Sequence, residues 1–308
     1  MTLERTGARP SRRTVLTLGA GTALAAAMAT GGTAHAATPG GDRISRRLSV
    51  LEQEHSARLG VFAHNTVTGR TVLHGADDLF PMCSTFKTVA VAAVLRDLDR
   101  NGEFLAKRIH YTKKEVEDSG YDKITGTDEH VANGMTVEEL CAAAVSYSDN
   151  GAANLLLREL GGPEAVTRFC RSIGDGKTRL DRWEPALNSA EPGRTTDTTT
   201  PRAIGRTYAR LVLGNALAPA DRKRLTSWLL ANTTSKDRLR KYLVPAGWTV
   251  ADKTGAGSYG TNNDVAVTWS PKGAPVVMSV LTTKHEATAK GDDDLVAETA
   301  KILASALG

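Results

Sequence analysis

Trp248-Thr249-Val250-Ala251-Asp252-Lys253, Asp264-Val265-Ala266-Val267-Thr268-Trp269 and Pro275-Val276-Val277-Met278-Ser279-Val280-Leu281 are three successive strand candidates. Each is rich in β-branched residues, which fit a pleated, packed surface. Pro271-Lys272-Gly273 supplies the turn between the last two. Strands joined by short connections pair antiparallel, because a parallel pair needs a long crossover. Two more candidates, Arg58-Leu59-Gly60-Val61-Phe62-Ala63-His64 and Arg70-Thr71-Val72-Leu73-His74, flank a turn at Thr68-Gly69. From Ser84 to Leu230 nearly every segment has helical periodicity.

Helix boundaries are marked by local chemistry. Thr136-Val137-Glu138-Glu139 is a capping box that opens a helix running to about Tyr147. A second helix spans Asn150 to Leu160 and stops at Gly161-Gly162-Pro163; Thr200-Pro201 opens another. Amphipathic helices are expected over Arg43–Ala57 and Leu295–Leu307. The pattern predicts an α/β fold: a five-stranded antiparallel sheet built from both chain ends, flanked by helices, with an inserted helical subdomain. Residues 37–80 and 226–308 would form the α/β part and 81–225 the helical part, with the active site between them.

Residues 1–36 read as an export signal. Ser11-Arg12-Arg13-Thr14-Val15-Leu16 resembles a twin-arginine motif, an Ala-rich apolar stretch follows, and Ala34-His35-Ala36 is a small-x-small cleavage site. The apolar stretch is short for a membrane span. Arg5, Arg9, Arg12 and Arg13 against Glu4 carry most of the formal net charge of +5, so the remaining chain is close to neutral. Overall charge therefore gives no reason to expect nucleic acid or a membrane as partner. Seven scattered histidines lack zinc spacing, and no metal or cofactor is expected. Cys83, Cys141 and Cys170 are an odd set, which leaves at least one free thiol. A monomer is the default expectation.

The chemistry concentrates in three short motifs. Ser84-Thr85-Phe86-Lys87 places a hydroxyl and an amine about one turn apart at the start of an apolar helix. Serine needs an adjacent base to act as a nucleophile, and a partly neutral lysine could be that base; read alone, Ser84 could equally cap the helix. Ser148-Asp149-Asn150 sits at a break between helices, where a hydroxyl can relay a proton and an amide can bind an amide. Read alone, it is also an ordinary cap sequence. Lys253-Thr254-Gly255 combines a cation, a hydroxyl and a residue without Cβ, which suits a bound carboxylate. A surface strand end reads the same way.

In this order the three motifs are the signature of class A β-lactamases and penicillin-binding proteins. The chain resembles a class A serine β-lactamase along essentially all of its length after the signal. Gly134-Met135-Thr136-Val137-Glu138-Glu139-Leu140-Cys141 and Val244-Pro245-Ala246-Gly247-Trp248 also look like that family. Arg182-Trp183-Glu184-Pro185-Ala186-Leu187-Asn188 looks like its Glu-x-x-Leu-Asn loop, which peptidoglycan transpeptidases and carboxypeptidases lack.

The resemblance implies hydrolysis of penicillins and cephalosporins through an acyl-enzyme, and hence antibiotic resistance. It makes Ser84 the nucleophile, with Lys87 and Glu184 sharing its activation. Ser148 would protonate the leaving nitrogen, and Glu184 with Asn188 would hold the deacylating water. Asn150 would bind the substrate amide, and Lys253, Thr254 and Gly255 would form the carboxylate site. Ser84 and Ala256 amides would form the oxyanion hole. Many relatives carry an arginine on the following strand, where Asn262 stands here. Arg238 is assigned that role instead, against the alternative of a solvated helix-end charge.

Other implications concern the thiols. Relatives that hydrolyse carbapenems bond the cysteine beside the nucleophile to a position that is Gly257 here, and the other known partner position is Val91. No disulfide is therefore expected. Tyr121 would stack on substrate at the cleft mouth or pack elsewhere. The competing readings are a D-alanyl-D-alanine carboxypeptidase, a non-turnover β-lactam sensor and, more remotely, a serine glutaminase.

Overall fold

The computed structural model describes residues 39–308, with side chains from Arg43 onward. The expected export signal lies outside the described residues. Five strands make the main sheet: β1 (Arg58–Asn65), β2 (Thr71–His74), β3 (Thr249–Gly257), β4 (Thr261–Trp269) and β5 (Pro275–Thr283). Their order is β2-β1-β5-β4-β3 and every pairing is antiparallel. The sheet thus joins both ends of the described chain, as the strand candidates predict.

Three strands are longer than their sequence signal. Lys253-Thr254-Gly255 lies inside β3, paired with Val265, Asp264 and Asn263, and not at its end. Gly and Ala have low strand propensity, so the run Thr254 to Gly257 reads as a stop. It stays extended because it is an edge strand held along one side by β4. Successive side chains alternate across the sheet. Val265 and Val267 enter one core and Ala266 enters the other. Both faces are covered, which is why β4 is buried almost throughout.

The helices that carry the site are α1 (Pro39–Glu54), α2 (Phe86–Ala93), α3 (Val137–Ser146), α4 (Asn150–Leu160), α5 (Glu164–Ser172), α6 (Pro201–Val212), α7 (Pro219–Leu230) and α8 (Asp293–Leu307). Side chains of α2 to α7 pack with Val265, Val267 and Leu281 in the larger core. Side chains of α1 and α8 pack on the opposite face with Val61, Ala266 and Met278. The boundary expected at 225/226 falls inside α7, whose Leu225 and Leu229 both belong to the larger core.

Helical periodicity overstates the helix content between α5 and α6. Residues 174–200 hold only a 3-10 turn, Ala186–Ser189, and a two-residue strand, Thr198–Thr199. Gly174, Gly176, Pro185, Pro192 and Gly193 interrupt it. Side chains supply the missing backbone bonds. The carboxylate of Asp197 accepts from the amides of Asp181 and Arg182 and pairs with the Arg182 guanidinium at 2.6 Å. Arg171 Nη1 donates to the carbonyls of Asp175 and Thr178.

Candidate active site

Ser84 lies in a 3-10 turn, Cys83–Thr85, that leads directly into α2. Its side chain makes no helix cap. Instead Ser84 Oγ donates to Glu184 Oε1 at 3.3 Å. The preceding Cys83 has φ +44°, a left-handed conformation that costs a non-glycine residue energy and marks a constrained turn. Edge strand β3 presses on this turn. A Cβ on Gly255 would stand 2.8 Å from the Met82 carbonyl and 3.2 Å from the Ser84 nitrogen. The glycine in Lys-Thr-Gly therefore lets the nucleophile's own backbone approach the strand.

Lys87 follows one turn later, fully buried on the same side of α2. Its Nζ donates to Asn150 Oδ1 at 2.5 Å and to the Ser148 carbonyl at 2.7 Å, and pairs with Glu184 Oε1 at 3.1 Å. Burial pushes its pKa down, and the facing Glu184 carboxylate partly restores the charge. Glu184 is buried too, so one oxygen faces both the nucleophile and the amine. Asn188 Nδ2 donates to its other oxygen, while Asn188 Oδ1 is buried without a hydrogen-bond partner. That free acceptor beside a carboxylate suits a water donor.

Ser148 occupies a strained position, φ +61°, between α3 and α4. Its hydroxyl accepts from Lys253 Nζ at 2.9 Å. Lys253 also donates to the Thr254 carbonyl at 2.8 Å. Burial drives the Lys253 pKa well below the usual lysine range, and the cations Lys87 and Arg238 add to the effect. An incoming carboxylate would offset all three. Asn150 Nδ2 donates to the Ser119 carbonyl at 2.9 Å, which leaves its second N–H for a ligand. Thr254 Oγ1 shares a hydrogen bond with Thr234 Oγ1.

Arg238 is mostly buried, not a solvated helix-end charge. Its guanidinium donates to the carbonyls of Gly255 at 3.3 Å and Asn263 at 2.8 Å, and to Asp293 Oδ1 at 2.8 Å. Asn262 Nδ2 donates to that same Asp293 oxygen at 2.9 Å. Arg238 therefore reaches the ground that Asn262 occupies on β4. Ala256 is exposed next to it on β3. Tyr121 is also exposed, so it is no core residue; its carbonyl accepts from the Asn150 amide nitrogen at 2.7 Å.

The three cysteines are free and buried. A Cβ on Gly257 would stand 2.8 Å from Cys83 Sγ, so the partner position implied by the resemblance is adjacent but carries no sulfur.

Two further residues organise the site. Asn154, one turn into α4 from Asn150, brackets the Glu184 backbone with its amide. Asp149 is fully buried and accepts from the amides of Ile124, Thr125 and Ala152 and from Thr125 Oγ1. It ties the loop carrying Tyr121 to the start of α4. The bond from the Ala152 amide is the helix cap that Ser148-Asp149-Asn150 offers in sequence, whereas the bonds from Ile124 and Thr125 and the Asn154 bracket join loops distant in the chain, which a single sequence does not mark.

Comparison with known proteins agrees with this arrangement. The model of the "Beta-lactamase enzyme family" matches residues 43–307. A β-lactamase of Streptomyces lavendulae is 69% identical over 303 residues, covering 98% of this chain and 99% of that protein. One from Streptomyces albus G is 62% identical over 309 residues, covering 97% and 98%. The solved β-lactamase from Streptomyces albus G superposes with a TM-score of 0.85 at 65% identity, covering 86% of this chain and all of that one. A β-lactamase structure from Desulfarculus baarsii DSM 2075 gives 0.83 at 46% identity, covering 87% and 98%. Matched in sequence and in backbone across the described residues, the chain belongs to the β-lactamase enzyme family.

Proposed function

We propose that this protein is an exported enzyme that hydrolyses the lactam amide of penicillins and cephalosporins through a Ser84 acyl-enzyme, and so confers resistance to them. The observation that carries the reading is the buried Glu184 carboxylate between Ser84 Oγ and Lys87 Nζ, with Asn188 on its far oxygen. Ser84 Oγ attacks the lactam carbonyl and passes its proton to the Lys87–Glu184 pair. The amides of Ser84 and Ala256 stabilise the developing oxyanion, an effect worth about 3 kcal/mol per donor. The C–N bond breaks and Ser148 protonates the leaving nitrogen; the proton taken from Ser84 passes from the Lys87–Glu184 pair to the Ser148 hydroxyl, which leaves Glu184 ionised for the next step. Lys253, Thr254 and Arg238 hold the substrate carboxylate, and Asn150 its amide side chain.

A water held by Glu184 and Asn188 then attacks the ester. Glu184 takes its proton, the C–O bond to Ser84 breaks and the hydroxyl is regenerated. Without that carboxylate the ester would persist, as in a sensor or a penicillin-binding protein. Export by the twin-arginine route rests on Ser11-Arg12-Arg13 and the Ala34-His35-Ala36 cleavage site.

Mixing the protein with a chromogenic cephalosporin tests the reading. Wild type is expected to turn over many equivalents, and Glu184→Ala to give one burst and stop. A wild type that stops after one equivalent would refute hydrolysis and favour the sensor.

A further inference from the structure

Helix α6 is sharply two-sided. Ile204, Tyr208, Leu211 and Val212 are buried on its inner face, and Tyr208 Oη donates to the Thr85 carbonyl and accepts from Thr88 Oγ1 beneath the nucleophile's helix. Its other side carries Arg202, Arg206 and Arg210, four residues apart and so in one row, about 6 Å per step along the axis. Among the described residues only Arg202 of the three has an acidic partner, Asp77, bonded at 2.7 and 2.8 Å.

Like charges four apart destabilise a helix. On the helix itself no acid relieves Arg206 or Arg210: the positions three and four from Arg206 hold arginine or alanine, and those from Arg210 hold arginine, threonine, leucine or glycine. Most other arginines of the described chain are paired, including Arg158, Arg179, Arg182, Arg224 and Arg238. Arg206 and Arg210 thus lack an acidic partner among the described residues, as do Arg43, Arg46 and Arg47, which line a separate hollow against α8.

Two hollows meet along this row. One, of about 190 Å³, is lined by Phe62, His64, Thr71, Arg202, Arg206 and Val277. The other, of about 220 Å³, is lined by Asp77, Asp175, Lys177, Arg202, Arg206 and Arg210; both carboxylates are engaged, Asp77 by Arg202 and Asp175 by the hydroxyls of Thr178 and Thr207. Together they make an elongated groove, and the cations follow its length without converging on a point. Guanidinium forks match phosphate oxygens in pairs. None of the large apolar side chains exposed on the described surface lines either hollow, so a bilayer would find nothing to insert.

We propose that the Arg202-Arg206-Arg210 groove binds a linear anionic polymer with a phosphodiester in each repeat unit, of the kind a bacterial cell wall carries. Such binding would hold an exported enzyme near the surface its substrates cross. It rests on the export reading for where the polymer is met, and on nothing in the Glu184 chemistry.

The test is titration of the labelled, intact protein with poly(glycerol phosphate) over a range of salt concentrations, read by fluorescence anisotropy. Inorganic phosphate and phosphatidylglycerol vesicles form separate arms. Affinity for the polymer is expected to fall steeply with salt, as counterion release requires. The double variant Arg206→Glu/Arg210→Glu should bind at least 10-fold more weakly, with a flatter salt slope. It should still hydrolyse the chromogenic cephalosporin at the wild-type rate, which also reports that it folds. If that variant does not fold, Arg206→Gln/Arg210→Gln is expected to weaken binding in the same direction.

No polymer binding, equal binding by variant and wild type, or preference for vesicles or free phosphate would overturn the proposal. A wild type that binds polymer without hydrolysing lactams would instead refute the function above and leave this site standing.

Discussion

The side-chain amide of Asn154 holds Glu184 by both of its backbone groups. Nδ2 donates to the Glu184 carbonyl at 2.9 Å and Oδ1 accepts from the Glu184 amide at 3.0 Å. The loop that carries the carboxylate is thus pinned to the same helix that carries Asn150, whose amide oxygen receives Lys87.

Replacing Asn154 by leucine would leave those two backbone groups unpaired, at about 1–3 kcal/mol each. We expect deacylation to slow by roughly 10- to 100-fold, since about 1.4 kcal/mol is one factor of ten. Acylation should suffer less, so the acyl-enzyme should accumulate in rapid-quench mass spectrometry. Loss of turnover without that accumulation would mean that Asn154 only stabilises the fold.

Ser148 joins the two buried amines. Its carbonyl accepts from Lys87 and its hydroxyl from Lys253, and it does so at φ +61°. Left-handed backbone costs a residue with a Cβ about 1–2 kcal/mol, and glycine almost nothing. Ser148→Ala and Ser148→Gly should therefore lose activity to a similar degree, because both lack the hydroxyl. Their melting temperatures should differ, with glycine higher by about 2 °C or more. Equal melting temperatures would show that no strain is held there.

Behind the Lys-Thr-Gly strand, Asp252 and Asp264 form a buried carboxyl pair. Asp252 Oδ1 accepts from Arg240, while Asp252 Oδ2 and Asp264 Oδ1 have no donor. Burial first, and then the neighbouring Asp252, push the Asp264 pKa well above the usual carboxylate range. A proton on Asp264 satisfies both oxygens. The folded state then holds a proton that the unfolded chain releases above about pH 4. Its stabilising contribution is complete below that pH and is lost as pH rises through the folded pKa. Asp264→Asn keeps a donor toward Asp252 but does not titrate. Urea unfolding at a series of pH values from 4 upward should show a smaller decline for the variant. Parallel declines in the two proteins would contradict the shared proton.

Short-range chemistry was legible without coordinates. The capping box forms as its residue types require, with Thr136 Oγ1 accepting from the Glu139 amide and Glu139 Oε2 accepting from the Thr136 amide. Gly161 takes the left-handed conformation that ends α4, and Pro201 starts α6. Alternating and helical patterns located the strands and most helices. Patterns failed where side chains replace backbone pairing, as Asp197 and Arg171 do between α5 and α6.

By itself, the sequence determined the strands that build the sheet from both ends, the order of the motifs and the residue types available for acylation and water activation. Those depend on propensity, periodicity and spacing, which act over a few residues. Tertiary structure alone decided that Glu184 meets Ser84 and Lys87 across a hundred positions of chain, that Asn154 holds it there, and that Asp252 faces Asp264. Such contacts are made by burial, which draws charged groups together only where other groups compensate them. The compensating partner sits on another element, at a separation that no local pattern records.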